Sequence, residues 1–385
     1  MHFSKLELRR LLPVAMLALA VSCRPAKMTG EGTVLIDSFS TKTNASFFQD
    51  VYSGFRVVPL QTGDIALGAS GGLRLKDEGG KYILTDAEAN AIYTFDHSGK
   101  LLGRIMKVGR GPGEYMQLAA CEYHDGKYIA LVDGGRVIEY DGQGELIREI
   151  AQEHDLMDLA IVEGQPVLLV SRVDGDPAEV SDKILVCDAD YRPVSSFCPQ
   201  GFQIFNYASS LVPVVGEPGT FLYLEPVSTQ LHKCNKDGII SSYVLDLKGK
   251  SVPEAILRAD DFEEILALMM NNTPDMYCCS RVFENGSHLL LNLEYVSNGV
   301  ESLRGQWLVD KRDGSSRIEY LDYNGEFFGF LGLPQLLTAQ DEVVYIVDSE
   351  LLDAALADAP ALAAVKDGLV AAAGGPALLF CKIKD

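Results

Sequence analysis

Between residues 81 and 150 the chain alternates apolar and polar positions in short bursts, broken by aspartate and glycine at regular distances. "KYILTDAEANAIYTFDHSGKLLGRI" (81–105) and "KYIALVDGGRVIEYDGQGELIREI" (127–150) share one plan. Each has a strand ending in Asp, a tight connection, a strand ending in aromatic-Asp, a glycine turn and a third strand. Asp96 and Asp141 are 45 residues apart, as are Gly99 and Gly144. The period-2 alternation of β-branched and aromatic residues predicts half-buried antiparallel strands. Asp-x-x-Gly supplies the side-chain acceptor and the positive-φ residue of a hairpin turn.

The unit recurs with drift. Asp188 occupies the turn position in 166–197 and Asn235 in 220–245; 288–321 is a fifth unit, and 342–350 with 376–385 bracket a sixth. Short strands repeated at this period predict an all-β, six-bladed β-propeller, since one blade cannot bury both of its faces and a closed ring can. A two-sheet sandwich has no reason to repeat as a unit. The strands near 33–39 and 55–62 are expected to complete the last blade and lock the circle. Blade boundaries within 198–285 stay open.

Two inserts interrupt the repeat. Residues 252–272 carry Ile256, Leu257, Ile265, Leu266, Leu268 and Met269 at helical spacing, with Asp260 or Asp261 as a cap. Residues 351–374 are alanine-rich, broken at Pro360 and closed by glycines. Both are expected to be short helices packed on the ring.

The first 22 residues have a different pattern. Lys5, Arg9 and Arg10 precede the apolar "LLPVAMLALAV" (11–21), which runs into small residues and Cys23. This predicts a lipoprotein signal peptide cut before Cys23, whose thiol takes a diacylglycerol. Several acyl chains at about 0.8 kcal/mol per buried methylene hold a protein at a membrane. Residues 23–32 then form a tether and 33–385 a single propeller domain. Seven further cysteines, an odd number without CxxC spacing, argue against a disulfide framework or a zinc site. Which pair, if any, is oxidised is not legible. Lys+Arg 33 against Asp+Glu 54 gives a net charge of −21, which disfavours nucleic acid and anionic headgroups. Contact with a membrane is then expected through the lipid alone.

Local motifs for chemistry are weak. "GRGPGEY" (109–115) lacks the Gly-Lys-Ser/Thr and following helix of a phosphate loop, Pro112 removes an amide, and Glu114 repels phosphate. Gly109, Gly111, Pro112 and Gly113 are therefore read as a structural loop, with Arg110, Glu114 and Tyr115 as candidate ligand contacts at a funnel mouth. "GASGG" (68–72) fits a nucleophile-elbow pattern at Ser70, but strand pattern follows where that motif needs a helix. His124 and His154 have neighbouring carboxylates without zinc spacing. Asp260–Asp261 and Glu263–Glu264 read as helix-start and surface acids rather than glycosidase carboxylates. Trp307, the only tryptophan, reads as core or blade interface, with sugar stacking as the other use. No catalytic residue, metal or cofactor is assigned.

On "VVPLQT" (57–62), residues 81–105, "VGRGPGEYMQL" (108–118) and "GGPALLFCKIKD" (374–385), the chain resembles the TolB-like six-bladed β-propeller lipoproteins of Bacteroidetes. The resemblance covers most of the chain after Cys23 and implies a six-bladed ring in the cell envelope, with no established activity. The expected function is a lipid-anchored platform, at the outer membrane on the periplasmic side, that binds a glycan, a peptide or an envelope protein. The alternative is a glycan lyase or hydrolase whose site is assembled from several blades.

Overall fold

The computed structural model describes residues 31–35, 50–63, 65–68, 71–171, 182–199, 210–224, 228–247, 249–257, 263–264, 267, 276–297, 300–322, 326–370, 372 and 375–384. Cys23, Ser70, Asp260 and Asp261 lie outside the described residues.

Two strands, β1 (Glu31–Leu35) and β2 (Tyr52–Pro59), precede the repeats. Blade 1 is β3 (Leu73–Glu78), β4 (Lys81–Asp86), β5 (Ala91–Asp96) and β6 (Leu101–Ile105). Blade 2 is β7 (Leu118–His124), β8 (Lys127–Val132), β9 (Arg136–Tyr140) and β10 (Leu146–Ala151). Blade 3 is β11 (Leu156–Val162), β12 (Gln165–Val170), β13 (Asp182–Cys187) and β14 (Pro193–Pro199). Blade 4 is β15 (Ser210–Pro213), β16 (Phe221–Leu224), β17 (Gln230–Asn235) and β18 (Gly238–Asp246). Blade 5 is β19 (Met276–Glu284), β20 (His288–Ser297), β21 (Val300–Asp310) and β22 (Ser316–Asp322). Blade 6 joins β23 (Pro334–Leu337), β24 (Glu342–Asp348) and β25 (Pro376–Ile383) to β2 at its outer edge. The chain is a six-bladed propeller.

Burial follows position in the blade. β4 and β8 are buried at every position but the first, as strands covered on both faces require, whereas the outermost β10 and β14 are mostly exposed. The turn aspartates do what their spacing predicts. Asp96 Oδ1 accepts from Ser98 and Lys100 N–H at 2.8 and 3.1 Å, and Asp141 Oδ1 from Gln143 and Glu145 N–H at 2.9 and 2.8 Å. Asp188 repeats the pattern with Asp190 and Arg192 at 2.9 and 3.0 Å.

Ring closure belongs to β2 alone. It pairs antiparallel with β25, with Val57 opposite Leu379 and Val58 opposite Leu378. Arg56 clasps the next strand, donating from Nε and Nη2 to the two carboxylate oxygens of Glu342, both at 2.9 Å. The expectation that the strand near residue 33 shares this blade is corrected: β1 runs parallel to β18 as a fifth strand of blade 4. β18 is the last strand of its own four-stranded blade, so its outer edge offers unpaired amides and carbonyls that a stray strand can cover.

The first insert begins with α1 (Glu254–Leu257), where Ile256 is buried. A helix that the sequence pattern does not predict, α2 (Glu326–Leu331), precedes β23. The second insert is α3 (Leu352–Asp358), a 3-10 turn at Pro360–Val365 and α4 (Lys366–Val370), broken at Pro360 as expected. Leu352, Ala355, Leu362 and Leu369 pack with Phe330, Tyr52 and Leu379 on blade 6, so this insert flanks the closing blade.

Gly99 carries two constraints. Its φ is +82°, and a Cβ there would lie 2.0 Å from Pro59 O in the closing strand, while Gln61 N–H donates to Gly99 O at 2.8 Å. Gly126 has a similar φ of +76° with nothing within 4 Å of its Cβ position. Gly126→Ala is expected to cost about 1 kcal/mol for the left-handed backbone alone. Gly99→Ala is expected to cost roughly 3 kcal/mol, because backbone must also move at the ring seam. Urea unfolding midpoints of the two variants give the comparison.

Candidate functional site

Consecutive strands are antiparallel, so connections alternate between the two faces of the ring. On one face they are short: among the β3–β4, β5–β6 and equivalent turns the longest is 214–220, between β15 and β16. The other face carries 60–72, 106–117, 247–275, 323–333 and 349–375, both helical inserts included. The inner strands β3, β7, β11, β15, β19 and β23 begin at this long-loop face and contact one another around the axis.

Charged side chains from these inner strands meet at the centre. In β3, Leu73 and Leu75 join the core while Arg74 and Lys76 take the alternate positions. Arg74 reaches from blade 1 to blade 3, where Nη1 lies 3.0 Å from Asp158 Oδ2. Asp158 is 3% exposed and also accepts from Leu159 N–H at 2.9 Å and from Leu211 N–H of blade 4 at 3.0 Å. Lys76 donates to Glu122 of blade 2. Arg281 of β19 donates from Nη1 to Pro334 O at 3.1 Å, and from Nη2 to Gly71 O and Leu73 O at 3.0 and 3.1 Å. It thereby ties blade 5 to blades 6 and 1.

The proton affinities reflect crowding. Burial pushes the Glu122 carboxyl up to about 7, although Lys76 opposes the shift. Lys76 is raised too: burial works against its charge, and Glu122 followed by Asp158 outweighs that. Desolvation of the carboxylate is thus larger than what one lysine returns. Arg281 is pushed down to about 9 by burial first, then by the neighbouring guanidiniums of Arg74 and Arg304.

Glu122 gives a pH test. Its ordinary value of 4.5 rises to about 7 on folding, so its stabilising contribution is complete below about 4.5 and is lost as pH climbs through about 7. The change across that window is about 3 kcal/mol. Glu122→Gln is expected to flatten the fall in unfolding free energy between pH 5 and pH 7.5, measured by urea titration.

The "GRGPGEY" loop lies elsewhere. Gly113 N–H donates to Glu149 of β10, and Tyr140 OH of β9 donates to Gly113 O at 2.7 Å. The loop is therefore seated against the outer strands of blade 2. Glu114 folds back to accept from Gly111 N–H at 2.7 Å, and a Cβ on Gly109 would meet that carboxylate at 2.0 Å. Tyr115 is buried, with its hydroxyl donating to Asn90 O at 3.0 Å, and burial pushes it up to about 12. Arg110 and Pro112 are exposed.

His124 ends β7 and His154 lies in the connection between β10 and β11, both half-buried, and no group of three or more His, Cys, Asp or Glu among the described residues is arranged to hold a metal ion. Glu263 and Glu264 are exposed. Trp307 is fully buried between blades 4 and 5, out of reach of a stacking sugar. The seven described cysteines are free thiols, and Cys198 and Cys234 belong to one core cluster between blades 3 and 4. No described helix is long and apolar enough to cross a membrane.

Arg74, Lys76, Glu122, Asp158 and Arg281 escaped motif reading. The usable signal was a charge inside an apolar strand run, as in "LRLKDE" and "LMDLAIV".

The profile of a family described as a domain of unknown function, DUF4934, matches residues 34–368. A crystal structure of a protein described as exported, from Bacteroides fragilis NCTC 9343, superposes with a TM-score of 0.68 at 16% identity, covering 92% of this chain and 99% of that one. A DUF4221 family member from Bacteroides vulgatus ATCC 8482 superposes with a TM-score of 0.54 at 12% identity, covering 87% of this chain and 98% of that one. No curated protein matches the chain.

Proposed function

We propose that this chain, which belongs to the DUF4934 family, is an exported, lipid-anchored protein whose long-loop face is a binding platform. The observation that carries the reading is the asymmetry of the ring. Every long connection and both helical inserts gather on one face, around charged side chains from several blades, while the opposite face is closed by tight turns. Rigid strands with variable loops above them suit recognition, because the scaffold holds contact residues at little ordering cost. The apolar segment before Cys23 and the similarity to a protein described as exported support a place in the envelope, with the lipid on Cys23 holding the ring at the periplasmic side of the outer membrane.

Two measurements test this. Cys23→Ala is expected to abolish labelling by a fatty-acid precursor and to move the protein out of the membrane fraction; retention with the membrane would refute the anchor. The purified chain, probed with neutral, cationic and anionic glycans and peptides, is expected to retain at least one without converting it. Retention should fall on Arg74→Gln at the long-loop face and persist on Arg312→Ala in the turn between β21 and β22. Loss in neither variant, or in both, would remove the platform from this face.

One observation favours a second reading, a lyase or hydrolase on the axis of the ring. Glu122, with a carboxyl near 7 beside Lys76, is poised to hold or release a proton at neutral pH. Turnover of a polysaccharide that disappears in Glu122→Gln would select that reading.

A further inference from the structure

We infer that the ring rests on the lipid bilayer through one arc of its short-turn rim, at the starts of the outer strands of blades 1 to 3, with the long-loop face turned away from the membrane. This orientation rests on the lipid anchor proposed at Cys23 and adds how the anchored ring is held.

The outer strands of the first four blades share a feature beyond their turns. In each, one residue is left over where the pairing register shifts: Leu102 in β6, Ile147 in β10, Val194 in β14 and Ile240 in β18. Successive members are 45, 47 and 46 residues apart. A bulge at a sheet edge re-aims the extra side chain. Leu102, Ile147 and Val194 are 50%, 45% and 60% exposed, with Leu146 exposed beside Ile147, and Ile240 is half-buried.

Single apolar residues scattered on a surface need no explanation, but a row of them at one structural position does. The fold does not demand the row. β22 pairs with β21 in unbroken register and starts with the exposed Ser316 and Arg317, and the bulged residue of β2 is the exposed Ser53. Blades 5 and 6 therefore place polar residues where blades 1 to 3 place leucine, isoleucine and valine.

The path of β1 indicates what covers this arc. Each outer strand starts at the short-turn face and ends at the long-loop face, as β18 does from Gly238 to Asp246. β1 runs parallel to β18, from Glu31 beside Ser242 to Leu35 beside Asp246, so the chain reaches Glu31 from the short-turn side. Blade 4 follows blade 3, so the anchored segment joins the ring where the apolar arc ends. Glu31 is eight residues after Cys23, a span of about 28 Å at most. A lipid on Cys23 thus keeps the short-turn rim near the membrane surface. The turns of the arc carry both signs, with Lys100 and Arg192 exposed alongside Glu145 and Asp190. This rim therefore offers apolar contact rather than attraction to anionic headgroups. Such side chains settle about 5–10 Å into the boundary of headgroups and acyl chains, a second hold beside the anchor.

The test uses the full lipidated chain in phosphatidylcholine vesicles, with and without a spin-labelled phosphatidylcholine. A fluorophore is attached at Gln143→Cys, in the turn before Ile147, or at Val370→Cys, exposed on α4 among the long connections. The unsubstituted chain labelled alike gives the background of the native thiols. The fluorophore at position 143 is expected to lose about half of its emission or more to the spin label, and that at position 370 to keep it. Leu102→Ser, Ile147→Ser and Val194→Ser combined are expected to restore emission at position 143, with folding by circular dichroism unchanged because all three side chains are exposed. Mass spectrometry of the same preparation reports the lipid on Cys23. Lipidated protein quenched at neither position, at position 370 rather than 143, or at position 143 regardless of the serines overturns the inference and leaves the anchor standing. In the first of these cases a dimer found by sedimentation in detergent would give the arc to a second copy of the chain. An unlipidated Cys23 removes the anchor and the inference together.

Discussion

Glu284→Ala is expected to lower the unfolding free energy by about 3–5 kcal/mol, more than substitution of the seam glycine or of either axial acid. Glu284 ends β19 and has no exposed surface. Its Oε1 accepts from Lys233 Nζ at 3.1 Å, Lys311 Nζ at 2.6 Å and Tyr243 OH at 2.9 Å, joining β17 and β18 of blade 4 to blade 5. Removing the carboxylate strands two partly buried ammonium groups. Lys233 keeps Glu217 at 2.6 Å, but Lys311 keeps only the Asn285 carbonyl at 2.8 Å. Removal of one partner differs from replacement of the whole group: Glu284→Leu with Lys311→Met is expected to lose markedly less, because no cation is left unpaired and the volume is filled. Urea unfolding of both variants with matched m values checks the ordering. A Glu284→Ala midpoint equal to the parent's would show that the three-way contact contributes nothing.

Asp158→Ala should follow closely, at about 3 kcal/mol, since two amides and a guanidinium lose one acceptor group inside the ring. Asp158→Asn keeps an acceptor oxygen and is expected to lose about half as much. Urea unfolding of both variants reads the difference, and an equal loss in the two would show that the retained acceptor oxygen contributes nothing.

Much of the ring is legible in the chain itself. Asp96, Asp141 and Asp188 mark their turns because each side chain bonds to amides only two and four residues on. Pro360 breaks the second insert for an equally local reason, sitting at the start of a 3-10 turn. The closing strand is readable from the apolar run of "FRVVP", which forms most of β2. The blade that β1 joins is not legible, because a short strand carries no information about which free edge it will cover. α2 leaves no pattern for a related reason: six residues are too few to show a helical period.

The "GRGPGEY" loop divides along the same line. Its glycines announce a bend, and Gly113 does adopt a φ of +70°. That the bend lies on β9 and β10 of the next blade depends on Tyr140 and Glu149, residues the loop meets only once blade 2 has formed. Local composition thus identified a structural loop but not its address in the ring.

Taken alone, the sequence determined repeated sheets, their hairpin turns, early strands available to seal the circle and an amino-terminal segment patterned for export. Those properties depend on hydrogen bonds across a few residues and on a side-chain period of two, both written contiguously in the chain. Only the tertiary structure decided that Arg74 meets Asp158 and that Arg281 grips carbonyls of blades 6 and 1. These partners are brought together when the ring closes, and charge assembled across a closed circle leaves no periodic trace in the strands that supply it.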